Sequence, residues 1–471
     1  MNRKNDKLII ICIAILVCGI LSWFIVPGMY SSGIFEELEM NRAGLYDIFP
    51  VVYSAFDYKL LDVVYILLVG GCYGILSQTK GYRKLVDKTV KFIKHKEILV
   101  FIIVTLLMSL YTAMSAHILA LFFIVPFIIT VFLRAGYNRI TAISAGFGGM
   151  FVGYLGQIYG SYGVTILNEN IGILCSDWIG PKVVLFIIAY VLFAIFSVLY
   201  MKKRKKDETK YDIYATEKLI EKDVKKKNRT KTWPVAVMLI IATLIIMIGS
   251  ISWVDSFNIS FFTDLHTSFQ SAFKIADVPV LSSLVGVQMP ALGEWETLLP
   301  NSFVFMVFTV ILAIMSKLDI SELFKHFGSG MKKISKVAFI YGFAHSLLYM
   351  NAEFAWSTTL INTLFGSESF NIVTLLVGAF LAMVLCVEPS YIGYTYSSIL
   401  TVAFADNIVA AGVVWRLGTA IALVIGPTSF LLLAALSYAD ISYKRWFKYI
   451  WKFTAAFTVA SLLFLGVIIY M

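Results

Sequence analysis

The sequence predicts an all-α polytopic membrane protein, with about 11–13 hydrophobic segments in two inverted-topology halves that contain broken helices or re-entrant hairpins. Three observations point there. First, 59% of the 471 residues are hydrophobic and 14% are charged, with a mean hydropathy of +0.83. A soluble chain carries about 25% charged residues, so too few polar groups remain to cover a water-facing surface. Second, strongly basic segments alternate with acidic loops. Third, two apolar segments of opposite direction, one in each half, are interrupted by glycine or proline.

The apolar runs fall at 8–26, 60–77, 98–115, 117–133, 140–158 and 182–200, and again at 235–251, 299–316, 337–350, 370–387, 395–411, 412–437 and 451–470. Leu8–Val26 holds nineteen residues without a formal charge, about 28 Å as a helix and enough to cross hydrocarbon. This run is long for a signal sequence and lacks a small-residue cleavage site, so it reads as a retained first span. The organisation is an N-terminal membrane half over 1–200, a charged linker over 201–232 and a C-terminal membrane half over 233–471. The five cysteines form no C-x-x-C pair, so neither a disulfide framework nor a zinc site is expected.

Lys and Arg number seven in 78–97, thirteen in 201–232, five in 317–336 and three in 439–448. Loops 28–59 and 252–298 together hold three, against ten acidic residues. This is the positive-inside pattern. It explains the net charge of +10 without a nucleic-acid partner, and it puts the N-terminus and linker in the cytoplasm of a multi-pass cell-membrane protein. Lys80–Lys96 and Ser321–Lys336 are amphipathic and suited to the inner leaflet, so membrane lipid is an expected partner. Labelling of single cysteines in intact cells is expected to spare the linker and modify both acidic loops. An impermeant reagent that reaches the linker would refute this topology.

Gly146–Gly163 has seven glycines in eighteen residues, and the apolar run of the second half is interrupted at Gly426-Pro427-Thr428-Ser429. Freed backbone groups survive at membrane depth where they line a polar cavity or pack on protein; close packing on glycine faces is an equally consistent reading. Two oppositely directed breaks, one per half, mark inverted-repeat secondary transporters.

Gly418 to Trp446, GTAIALVIGPTSFLLLAALSYADISYKRW, resembles the C-terminal signature of the anaerobic four-carbon dicarboxylate carriers and their YfcC-like relatives in the ion transporter superfamily. Gly44-Leu45-Tyr46-Asp47-Ile48-Phe49 before the Val69-Gly70-Gly71 span, and the region from Tyr341-Gly342-Phe343-Ala344 through Thr363, are similar to the same family in order. Two features depart from its pattern: Ala113-Met114-Ser115-Ala116-His117 stands where members carry an acidic pair, and Gly156-Gln157-Ile158-Tyr159-Gly160 stands at their Asn-Pro turn. The resemblance implies a secondary active transporter, a symporter or exchanger, of a small anionic or zwitterionic, carboxylate-bearing metabolite such as a dicarboxylate, an amino acid or a short peptide.

Half-helix N-termini offer free N–H groups to an anion. Gly426, Pro427, Thr428 and Ser429 are therefore expected at a substrate site, with Gln157, Tyr159 and Ser161 as their first-half counterparts and Ser390 beside them; back-bonding of the hydroxyls to helix carbonyls is the rival reading. Intramembrane ionisable groups are functional by default, which selects Glu388, His117 and Asp406 for ion or proton coupling. Glu388 is expected at a hairpin tip, His117 is equally consistent with capping a span end at the interface, and Asp406 is equally consistent with a structural pair with Arg416. No cofactor is expected beyond a coupling sodium ion or proton, and the sequence leaves a homodimer open. The rival class, a membrane-embedded glycan polymerase or ligase, needs Arg and His in a large outer loop, whereas 252–298 holds one Lys, one His and no Arg. A non-transporting structural membrane component is a third reading.

Overall fold

The computed structural model describes residues 6–31, 33–115, 117–159, 162–203, 231–272, 274–275, 278–286, 288–365 and 370–470. Most of the 201–232 linker, and Ser161, lie outside these described residues. The first half contains α1 (Asp6–Leu21), a short antiparallel pair β1 (Gly28–Ser31) and β2 (Ile34–Glu37), α2 (Ile48–Tyr58), α3 (Leu60–Leu76), α4 (Lys80–Ile93) and α5 (Glu97–Met114). It continues with α6 (Val125–Arg134), α7 (Arg139–Ile143), α8 (Gly149–Gly156), α9 (Tyr162–Ile171) and α10 (Ile179–Lys203). A 3₁₀ turn over Ala120–Ile124 leads into α6, and a π-helical turn over Ser144–Gly148 joins α7 to α8.

The second half contains α11 (Thr232–Gly249), short helical pieces in the 252–298 loop, α12 (Leu299–Met315), α13 (Ile320–Ala344), α14 (Ser346–Phe354) and α15 (Trp356–Phe365). After these come α16 (Ile372–Cys386), α17 (Pro389–Ala403), α18 (Ile408–Ile425), α19 (Phe430–Tyr438) and α20 (Tyr443–Tyr470). Among the described residues five helices are long and apolar enough to cross a membrane, or up to six if α2–α3, bent by 64° at Lys59, counts as one span. The other apolar segments are cut into shorter pieces.

Local chemistry sets many of these limits. The Thr79, Asn138 and Asn371 side chains accept from the N–H groups of the helix starts that follow them, a capping role suited to short polar side chains. Gln157, Ala355 and Val387 turn left-handed at φ 37°, 44° and 57° and end α8, α14 and α16.

Two sequence expectations need correction. The basic stretch Ser321–Lys336 and the first part of the 337–350 span, as far as Ala344, form one 25-residue helix, α13, because no proline or turn separates them, and the rest of that span belongs to α14. The expected 395–411 span straddles a boundary: α17 ends at Ala403, a 3₁₀ turn covers Ala405–Asn407, and α18 begins at Ile408. Polar Asp406 and Asn407 terminate the helix there.

The described ends of the basic segments gather on one face. Arg134 bonds Asp87 of α4 at 2.5 Å, a Cβ at Gly81 would approach the Lys231 carbonyl, and Arg139 reaches Asp440 at 3.9 Å. From that face α5 and the 117–134 segment form a hairpin, whose open end is marked by the Phe101 and Phe132 rings 5.9 Å apart. From the opposite face α16 and α17 form a re-entrant hairpin, open where the rings of Phe370 and Phe404 lie 5.5 Å apart and folded back at Val387-Glu388.

Glycine faces bring the helices close. A Cβ at Gly149 or Gly153 would sit 2.6 and 2.3 Å from the Thr105 and Ser109 carbonyl oxygens of α5. For residues 146–156 the glycine-rich segment is thus a packing surface, and the chain breaks only after Gly156.

Candidate functional site

Two polar clusters lie on either side of the α16–α17 tip. The first surrounds a cavity of about 220 Å³ lined by Lys59, Asp62, His117, Tyr341, Glu388 and Ser390 among others. The bend between α2 and α3 presents Lys59, whose Nζ lies 2.8 Å from Glu388 Oε2 and 3.8 Å from Asp62 Oδ2. Tyr341 donates its hydroxyl to Asp62 Oδ2 at 2.8 Å. His345, at the junction of α13 and α14, places Nδ1 2.8 Å from the Tyr341 carbonyl and Nε2 3.2 Å from Glu388 Oε2. The rings of Tyr341, His345 and Phe430 pack together with centroids 4.7–5.2 Å apart. Buried charges must be paired and hydrogen-bonded to be tolerated, and here one lysine serves two carboxylates.

The second cluster centres on Arg416 of α18, which is 5% exposed. Its Nε donates to the Gly412 carbonyl at 3.1 Å, while Nη1 and Nη2 have no hydrogen-bond partner among the described residues. Gln157, in the break after α8, is also 5% exposed, with both side-chain amide atoms equally unpartnered. The two line adjoining small cavities with Thr419 and Pro389 on one side and Lys182 on the other. Lys182 is buried and donates to the Cys175 carbonyl. Among the described residues no acidic residue lines either cavity. A forked guanidinium whose four terminal N–H bonds have no partner among the described residues, an amide and a second cation make an electropositive environment.

The sequence-selected residues are distributed as follows. Glu388 and His117 face the first cavity and Ser390 lines it, whereas Gln157 belongs to the second cluster. Tyr159 packs its ring 4.9 Å from Phe257 and donates its backbone N–H to the Ala113 carbonyl. The chain does break at Gly426-Pro427 between α18 and α19. There the Thr428 hydroxyl donates to the Val384 carbonyl and Ser429 to the Leu423 carbonyl, each at 2.6 Å, and Ser429 caps Leu432. In this conformation those hydroxyl hydrogens are committed to the backbone, Thr428 tying the break to α16 and Ser429 tying it to the last turn of α18.

The Asp406–Arg416 pair is not formed. Asp406 is exposed in the 3₁₀ turn, about 15 Å along the chain axis from Arg416 at 1.5 Å per residue. Sequence reasoning missed Lys59, which reads as an ordinary loop charge, and Asp62, Tyr341 and His345. His345 and Arg416 carried a usable signal, since each is an ionisable residue inside an apolar run.

Helical hairpins entering from opposite faces, broken helices and buried charges at their tips define a membrane transport protein. The sequence profile of the C4-dicarboxylate anaerobic carriers (DcuC) matches residues 5–470, and the chain belongs to that family. It is a carrier and not an enzyme. A Haemophilus influenzae protein described as uncharacterized is 23% identical over 441 residues, covering 90% of this chain and 77% of its own. The YdaH transporter of Alcanivorax borkumensis is similar in structure over 99% of this chain and 98% of its own, with a TM-score of 0.40 and 12% identity. MtrF of Neisseria gonorrhoeae, described among antimetabolite efflux pumps, is similar over 99% and 94%, with a TM-score of 0.38 and 14% identity.

Proposed function

We propose that this carrier moves a small dicarboxylate, held by one carboxylate at Arg416 and Gln157, with Glu388 as the group that couples transport to a cation or proton. The observation that carries the reading is the buried Arg416 guanidinium, whose two terminal nitrogens lack partners among the described residues beside a broken helix. A guanidinium fork matches a carboxylate in two parallel bonds. Lys182 lines the same cavity as Arg416. Two cations favour a solute with two carboxylates over an amino acid, whose ammonium would meet like charge. The family's own description names four-carbon dicarboxylates, which are therefore the first compounds to test.

Purified protein in proteoliposomes should take up labelled succinate, and unlabelled fumarate or malate should compete. Accumulation of a labelled amino acid with no uptake of any dicarboxylate would refute this substrate class.

A further inference from the structure

We propose that His345 and Glu388 share one exchangeable proton and form the site at which the carrier takes up a proton with its solute. The inference rests on the transporter reading above and goes beyond it in naming the coupling ion and a second residue.

A backbone carbonyl can only accept, so the 2.8 Å contact between His345 Nδ1 and the Tyr341 carbonyl places a hydrogen on Nδ1. A neutral ring then has a bare lone pair on Nε2, which would face a carboxylate oxygen at 3.2 Å. Two acceptors at that distance repel. Neither atom has a hydrogen-bond partner among the described residues, and one further proton, on Nε2 as imidazolium or on Glu388 as carboxylic acid, would turn this repulsion into attraction.

Charge balance gives the same answer. The groups facing Glu388 are Lys59, Asp62 and Tyr58 from the α2–α3 bend, Tyr341 and His345 from α13–α14, His117 from the α5–α6 hairpin, and Glu296 at the cavity mouth. The innermost charges are Lys59 against Asp62 and Glu388. With the extra proton this group is neutral, and without it one negative charge is left over.

Access is directional. Glu388 borders the cavity, whereas His345, at 0% exposure, lies behind it. A hydronium in the cavity gives its proton to the carboxylate–imidazole pair and leaves as water; unloading returns the proton by the same route. An unbalanced charge at membrane depth is costly, so loss of the proton drives the α16–α17 tip toward water. The same tip carries Pro389, which borders both the charged cavity and the Arg416 cavity. Protonation is thereby linked to the carboxylate site.

The first test needs no substrate. Purified protein in nanodiscs, with ¹⁵N-labelled histidine rings, would be examined at neutral pH, with the His345 signal assigned by His345→Asn. The carboxylic-acid infrared band would be assigned by Glu388→Gln. Either a doubly protonated His345 ring that reverts to one proton in Glu388→Gln, or an acid band lost in that variant, is expected. A singly protonated ring together with an ionised Glu388 would overturn the proposal.

The second test uses proteoliposomes and labelled succinate with the membrane potential clamped. An inward gradient of one pH unit should hold about a tenfold concentration ratio per coupled proton. Glu388→Gln, with an unchanged elution profile, should bring the ratio to about one. Accumulation driven by a sodium gradient at equal pH would overturn the proton assignment. Failure of succinate to move under either gradient would refute the substrate class, and the spectroscopic result would still decide the proton site.

Discussion

Arg416→Met is expected to raise the melting temperature of the substrate-free carrier while abolishing dicarboxylate binding. Both effects come from one fact: the guanidinium is buried, and its terminal nitrogens find no partner in the described protein. An uncompensated buried charge costs several kcal/mol, and methionine fills a similar volume without that cost. Each lost hydrogen bond to a charged group is worth about 1.5–3 kcal/mol, so removal of the fork should weaken succinate binding by at least about a hundredfold. Arg416→Lys keeps the charge but not the paired geometry and should lose about tenfold. Thermal melting followed by tryptophan fluorescence, and scintillation-proximity binding of labelled succinate, read the two effects separately. A variant that melts lower and binds normally would show Arg416 to be structural.

Gly330→Leu is expected to abolish recovery of a monodisperse protein, whereas Gly328→Leu two residues away should have little effect. A Cβ at Gly330 would lie 2.2 Å from the Gly70 carbonyl oxygen and 2.8 Å from the Gly74 Cα, and a Cβ at Gly74 would lie 2.2 Å from the His326 carbonyl oxygen. The backbones of α3 and α13 therefore touch, and a side chain can enter only by forcing them apart. Overpacking of a close interface costs about 1–3 kcal/mol, and more where backbone must move. The same two helices carry Asp62 and Tyr341, so separation would also dismantle the charged cluster. A Cβ at Gly328 meets nothing within 4 Å. Elution profiles of fluorescent fusions after mild solubilisation would compare the two. Equal recovery of both leucine variants would mean that α3 and α13 do not pack as described.

Hydrophobicity, loop charge and helix breakers are local properties, and they determined the membrane class, the face on which basic segments gather, and the breaks near Gln157, Glu388 and Pro427. Each follows from composition within a short window: apolar runs of about span length, lysines clustered beside them, and residues that cannot continue a helix. The resemblance carried by Gly418–Trp446 led to the family because that stretch combines a break, a small-residue helix and a basic turn. The boundary at 404–407 and the fusion of Ser321–Lys336 into α13 were less legible, since a moderately polar pair and two tolerated glycines give weak signals.

Only the tertiary structure decided which polar groups meet. Lys59 and Glu388 are more than three hundred positions apart in the chain and 2.8 Å apart in space, and no pattern in either neighbourhood specifies the other. Conversely, Thr428 and Ser429, adjacent to a legible break, turn their hydroxyls to the carbonyls of Val384 and Leu423. A hydroxyl beside a broken helix has two ways to be satisfied, by solute or by backbone. The choice depends on which carbonyl the folded neighbour brings within reach. The same reasoning applies to Arg416, which the sequence could pair with Asp406; the fold instead turns it toward Gln157, where its charge meets no acid among the described residues.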